Sequence, residues 1–60
     1  MRTILVRNLI SIEAVTTVLT FYMIDGSTRT ITGYEDIDAT EEAGREYNQL
    51  LAKGDKTLLI

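Results

Sequence analysis

Cysteine, histidine and proline are all missing from this chain, and each absence closes off a class of structure or chemistry. Without cysteine there is no disulfide and no thiolate zinc site. Without histidine the Ser-His-Asp and Cys-His arrangements go as well, and Ser11 and Ser27 have no base partner in view. Paired carboxylates remain, but glycoside chemistry needs a cleft flanked by two tuned acids, and 60 residues offer little material to build one. No enzyme, no metal site and no cofactor are expected. Long apolar runs are also missing. Thr3–Val6 is too short for a signal-peptide core, charge returns at Arg7, and nothing approaches the ~20 apolar residues of a membrane span. The expectation is a cytoplasmic protein with no membrane association.

What remains is a single domain, residues 1–60, near the lower size at which a chain folds unaided. Roughly 60% of the unfolded surface can be buried at this length, so the core contributes only a few kcal/mol net. With disulfide and metal excluded, self-association is a physical option for making up the difference.

The run from Thr17 to Thr32 carries the strongest structural signal, two β-rich segments joined at Asp25-Gly26. A two-residue type I′ loop would set Leu19 opposite Thr32 and Phe21 opposite Thr30. A three-residue loop, Ile24-Asp25-Gly26 with Gly26 in the left-handed position of a G1 bulge, sets Leu19 opposite Ile31 and Phe21 opposite Arg29. A one-residue slip moves a whole hydrophobic set to the wrong face. The second register gathers Leu19, Phe21, Met23 and Ile31 on one face and leaves Thr20, Tyr22, Thr28, Thr30 and Thr32 on the other. It is the preferred reading.

Before the hairpin lie two further β-branched and aliphatic runs, Thr3–Val6 and Leu9–Val15, either separated by a bend at Arg7-Asn8 or joined as one long bent strand, with a tight link at Thr16-Thr17. Alternation in the second run places Ile10 and Ile12 on one side, Ser11 and Glu13 on the other. After Gly33 the period changes. Asp38 followed by Glu41 resembles a capping box, with Thr40 a rival cap, and predicts a helix over about 39–53. Ala43, Tyr47, Leu50 and Leu51 form its apolar stripe. Gly44 costs ~1 kcal/mol against alanine in a helix interior, unless it admits close approach to the sheet. Gly54 suits the left-handed cap that ends the helix. The closing run Thr57–Ile60 pairs either with the amino-terminal strand or with another subunit. The fold class is therefore α+β: a small antiparallel meander of three to four strands, one helix packed on one face, and a short C-terminal strand.

Charge is distributed unevenly. From residue 35 onward there are seven acids against three bases, a net of −4, whereas residues 1–34 carry three arginines against Glu13 and Asp25, a net of +1. Glu35, Asp36, Asp38, Glu41, Glu42 and Glu46 form the candidate partner-binding face. Its plainer reading is a solvated helix start with acids where the dipole favours them. Asp36-x-Asp38 lacks the glycine and bidentate glutamate of a calcium loop. A net charge of −3 without a basic cluster argues against nucleic-acid binding by the chain itself. Only Arg2, Arg7 and Arg29 meeting beside Tyr22 on one sheet surface would supply it. Tyr47 is expected in the core and Tyr34 beside the turn. The layout resembles many short proteins of bacteria and their phages, in turn and cap signals too generic to name a family.

Three functions fit these facts. The first is a non-catalytic protein-interaction module of a bacterial or phage cytoplasmic protein, self-associating as a homodimer. The second is a small acidic regulator or inhibitor of a basic, nucleic-acid-binding protein. The third is a weak nucleic-acid-binding adaptor.

Overall fold

A computed structural model describes residues 2–60. The strands are β1 (Thr3–Leu5), β2 (Leu9–Val15), β3 (Val18–Met23), β4 (Thr28–Ile31) and β5 (Thr57–Leu59), with one helix, α1 (Ile37–Ala52), between the last two. They form two sheets: an antiparallel meander β2-β3-β4, and a two-stranded antiparallel ribbon of β1 with β5. The class is α+β as expected, and the C-terminal strand meets the amino-terminal strand of its own chain. No helix among the described residues is long and apolar enough to cross a membrane.

The hairpin adopts the three-residue loop. Leu19 lies opposite Ile31 and Phe21 opposite Arg29. Gly26, at φ 88°, donates its N–H to the Met23 carbonyl (3.1 Å), and the Met23 N–H reaches the Ser27 carbonyl (2.9 Å). Asp25 completes the turn by accepting from both the backbone N–H and the hydroxyl of Ser27. Those bonds hold its carboxyl below the usual range. The other tight link is less comfortable. Val15 faces Val18 across it, and Thr16 takes a φ of 53°, a conformation that a β-branched residue adopts rarely.

Leu9–Val15 is the second strand, but its alternation changes phase. Leu9 pairs with Met23 and Ser11 with Tyr22, so the strand carries an extra residue between them. This β-bulge moves the inward set from Ile10 and Ile12 to Leu9, Ile12 and Ala14, which pack on the core, and turns Ile10 to solvent at 66% exposure. The shared side expected for Ile10 and Ile12 is thereby corrected. Strand β1 also stops one residue early. Val6–Asn8 forms a 3₁₀ turn in which the Leu9 N–H bonds back to the Val6 carbonyl.

The helix begins two residues before the capping box suggested. Asp36, in extended conformation, is the N-cap, and its carboxylate accepts the Ala39 N–H at 2.8 Å. Asp36, Asp38 and Thr40 are all competent caps by residue type. The earliest one gains an additional turn of hydrogen bonds while keeping Asp38 in the first turn, where the dipole favours it. Thr40 instead lies fully buried inside the helix, its hydroxyl donating to the Asp36 carbonyl at 2.9 Å. At the far end the Gly54 N–H bonds to the Leu51 carbonyl and the Asp55 N–H to the Leu50 carbonyl, the paired bonds of a Schellman motif.

The core is small. Ile4, Leu19, Phe21 and Leu58 are its fully buried hydrophobic residues, ringed by half-buried side chains that include Ala43, Tyr47, Leu50 and Leu51 of the helix. Ile4 and Leu58 face each other across the ribbon, so the ribbon and the meander share one core. The helix lies across β2 and β3. Gly44 is buried there, and a Cβ added to it would sit 3.3 Å from the Leu19 Cδ1 and 3.7 Å from the Ala14 Cβ.

Two substitutions test this packing. Gly26→Val should lower stability by about 1–2 kcal/mol or more, because positive φ brings its Cβ against the following carbonyl. Chemical denaturation reads this directly, and an unchanged midpoint would exclude the left-handed turn. Gly44→Ala should also lower the midpoint, despite a helix-propensity gain of about 1 kcal/mol. Leu19 is fully buried and has little room to retreat, and overpacking typically costs about 1–3 kcal/mol. A stabilised Gly44→Ala protein would show that the helix is free to lift.

Candidate functional site

The acidic residues singled out in sequence are placed on the surface. Glu35, Asp36, Asp38, Glu41, Glu42 and Glu46 are all exposed. At 100° per residue Asp38, Glu41, Glu42 and Glu46 fall on the side of α1 opposite the stripe of Thr40, Ala43, Gly44, Tyr47 and Leu51, with Arg45 among them. Asp36 is already committed to the N-cap. Among the described residues no three acids converge on a point that could hold a metal ion.

The arginine constellation does not assemble. Arg29 is opposite Phe21, so it belongs to the row on the core side of the meander, whereas Tyr22 points the other way with Thr20, Thr28 and Thr30. Arg2 and Arg7 flank β1. The neighbour Tyr22 has is Glu13 on β2, whose negative charge, with a hydrogen bond, raises the phenol above its usual range. A carboxylate beside this half-buried tyrosine opposes a nucleic-acid backbone rather than attracting it.

Two surface depressions remain. One, of about 390 Å³, is lined by Tyr34, Ala43, Glu46, Tyr47, Leu50 and Leu59. It is apolar at its floor, and burial is the chief cause of the upward shift in both tyrosine phenols. Its back wall is Tyr47, which meets Phe21 edge to face with ring centroids 5.2 Å apart. The same side chain donates its hydroxyl to the Leu59 carbonyl at 2.9 Å. The second depression, about 460 Å³, is lined by Leu5, Val6, Arg7, Asp55 and Lys56. Among the described residues the only carboxylate lining the first is Glu46 and the only one lining the second is Asp55.

Both depressions border the β1–β5 ribbon, which exposes apolar side chains, although Ile10 and Ile24 elsewhere are more exposed, at 66% and 62%. Leu5 is 41% and Leu59 56% exposed, on the ribbon face away from Ile4 and Leu58. Sequence reasoning found the two terminal runs but not their exposed sides, because three-residue strands are too short for alternation to declare a face. Tyr34, expected beside the turn, packs half-buried against the core and lines the same depression as Tyr47. The chain matches no protein-family model, no curated protein and no solved structure.

Tyr47→Phe isolates the tie between helix and ribbon. It keeps the ring on Phe21 and removes the donor to Leu59, so the expected cost is about 0.5–1.5 kcal/mol. Amide exchange of β5 should accelerate more than that of β3. Equal acceleration throughout would mean that the hydroxyl does not anchor the C-terminal strand.

Proposed function

We propose that this chain is a non-catalytic protein-interaction module that works by self-association. The observation that carries the reading is the unguarded two-stranded ribbon. Each ribbon strand has only one strand neighbour, so each leaves its outer edge without a strand. The meander's own edges carry protective devices: β2 has its bulge and Glu13, and β4 places Arg29 on the inward row. By contrast Thr3–Leu5 and Thr57–Leu59 contain no charged residue. Burial of Leu5 and Leu59 against a second copy would add apolar area that a 60-residue core lacks.

A second reading, an acidic regulator engaging a basic partner, is favoured by the exposed acids along one side of α1. It is the lesser one, because Asp36 and Asp38 already serve the helix start. Reversing Glu41, Glu42 and Glu46 to lysine would leave self-association unchanged under the first reading.

Light scattering across concentration is the direct test. The mass should rise from 6.7 kDa toward twice that value in the micromolar range, and the melting temperature should rise with it. A constant monomer mass to high micromolar concentration, with a concentration-independent melt, would overturn the proposal.

A further inference from the structure

We infer that the depression between α1 and β5 is a binding site for an arginine side chain of a partner protein, with the guanidinium meeting Glu46 and the rings of Tyr34 and Tyr47. The site stands apart from the self-association proposed above. It draws on one acid of α1, not on the acidic side of the helix as a whole.

The lining residues divide by chemistry. Ala43, Leu50 and Leu59 are apolar, Tyr34 and Tyr47 are aromatic, and Glu46 supplies the charge. The other depression sets Arg7 and Lys56 against Asp55, so the two differ in sign. At about 390 Å³ the first lies at the small end of ligand sites. Glu46 also lacks a cation along its own helix. Residues three and four positions away are its neighbours on the helix surface, and these are Glu42, Ala43, Gln49 and Leu50. Arg45 is adjacent in sequence and does not face it; its own neighbours at that spacing are Glu41 and Glu42. The negative charge is felt inside the depression. Burial raises the phenols of Tyr34 and Tyr47 most, and the charge of Glu46 raises both further.

A ligand matched to these groups needs a positive charge, an apolar stem and a flat face. Arginine has all three. Its methylenes can cover Ala43, Leu50 and Leu59 while the head stays at the wet rim beside the exposed Glu46. The guanidinium is planar, presents paired N–H donors to a carboxylate and stacks on aromatic rings, whereas the ammonium of lysine is a compact, strongly hydrated point charge. Tyr47 is already fixed, by Phe21 at a ring separation of 5.2 Å and by the Leu59 carbonyl at 2.9 Å. Its ring therefore costs little further ordering when the ligand arrives.

Capped tripeptides with glycine on either side of one test residue probe the site by chemical-shift titration of the isotope-labelled chain. The arginine peptide should saturate in the millimolar range. It should move the signals of Ala43, Glu46, Tyr47 and Leu50, while those of Thr20 and Thr28 on the far face of the meander stay constant. The citrulline peptide, similar in shape but uncharged, should bind about fivefold more weakly, the measure of a partly exposed ion pair. Lysine should also fall below arginine. Glu46→Gln should weaken the arginine peptide about fivefold, and as an exposed surface change it leaves the fold intact. Tyr34→Leu keeps apolar area but removes a ring, and should weaken it about twofold to fivefold. Should Tyr34→Leu fail to fold, the peptide series and Glu46→Gln still decide. No saturating shift with arginine overturns the inference. Equal affinity for a citrulline or leucine peptide does so too, leaving an apolar groove without preference for a cation, and equal affinity for lysine removes the guanidinium. If Glu46→Gln instead abolishes a concentration-dependent rise in mass of the chain alone, the occupant is a second copy and the inference falls.

Discussion

Tyr47 ties together three parts of this fold, the helix, the meander and the ribbon. Its ring lies edge-on to Phe21, the largest fully buried side chain, and an aromatic pair of this kind contributes about 0.5–1.5 kcal/mol beyond area burial. Its hydroxyl ends on the Leu59 carbonyl. One side chain of the helix thus touches the centre of the meander and the last strand of the ribbon. With four buried hydrophobic residues among those described, such a tie is a large share of the cohesion, since total stability at this size is only about 3–9 kcal/mol. The close approach of Gly44 to Leu19 supports it by letting the helix backbone settle near the sheet.

The same shortage of core explains how the edges are arranged. Five strands in two small sheets create several free edges. The molecule treats them differently: a bulge on β2, an inward-row arginine on β4, a helix side chain against β5. Edge strand β1 has no such device within Thr3–Leu5, only flanking arginines. The proposed interaction role rests on the partly exposed leucines of this ribbon, Leu5 and Leu59. The acidic side of α1 is chemically conspicuous, but its acids at the helix start already have structural reasons to be where they are.

How far the sequence could be read differs from element to element. The Asp25-Gly26 loop and its register were legible, because only one register collects Leu19, Phe21, Met23 and Ile31 on a single face, and register errors flip every side chain. The helical stripe was legible for the same kind of reason, a period that repeats over several turns. The phase of β2 was not. A bulge leaves no mark on residue type when the extra residue, Ile10, is as apolar as the inward-facing Leu9 and Ile12. The helix start was ambiguous because Asp36, Asp38 and Thr40 are equivalent as caps until packing buries Thr40. The arginines failed to gather beside Tyr22 because strand parity puts Arg29 and Tyr22 on opposite faces.

By itself, then, the sequence determined the local matters: where strands and helix lie to within about two residues, the geometry of the main hairpin, the helix face that meets the core, and the exclusion of histidine and cysteine chemistry. These depend on residue type and spacing, which near neighbours in the chain settle among themselves. Tertiary structure alone decided that β1 takes β5 as its partner, that Tyr34 and Tyr47 line one groove with Leu59, and that the Tyr47 hydroxyl ends on the Leu59 carbonyl. Each of those joins residues a dozen or more positions apart. Loop closure makes such contacts costly to form, so their selection depends on the packing of the whole core rather than on any local pattern.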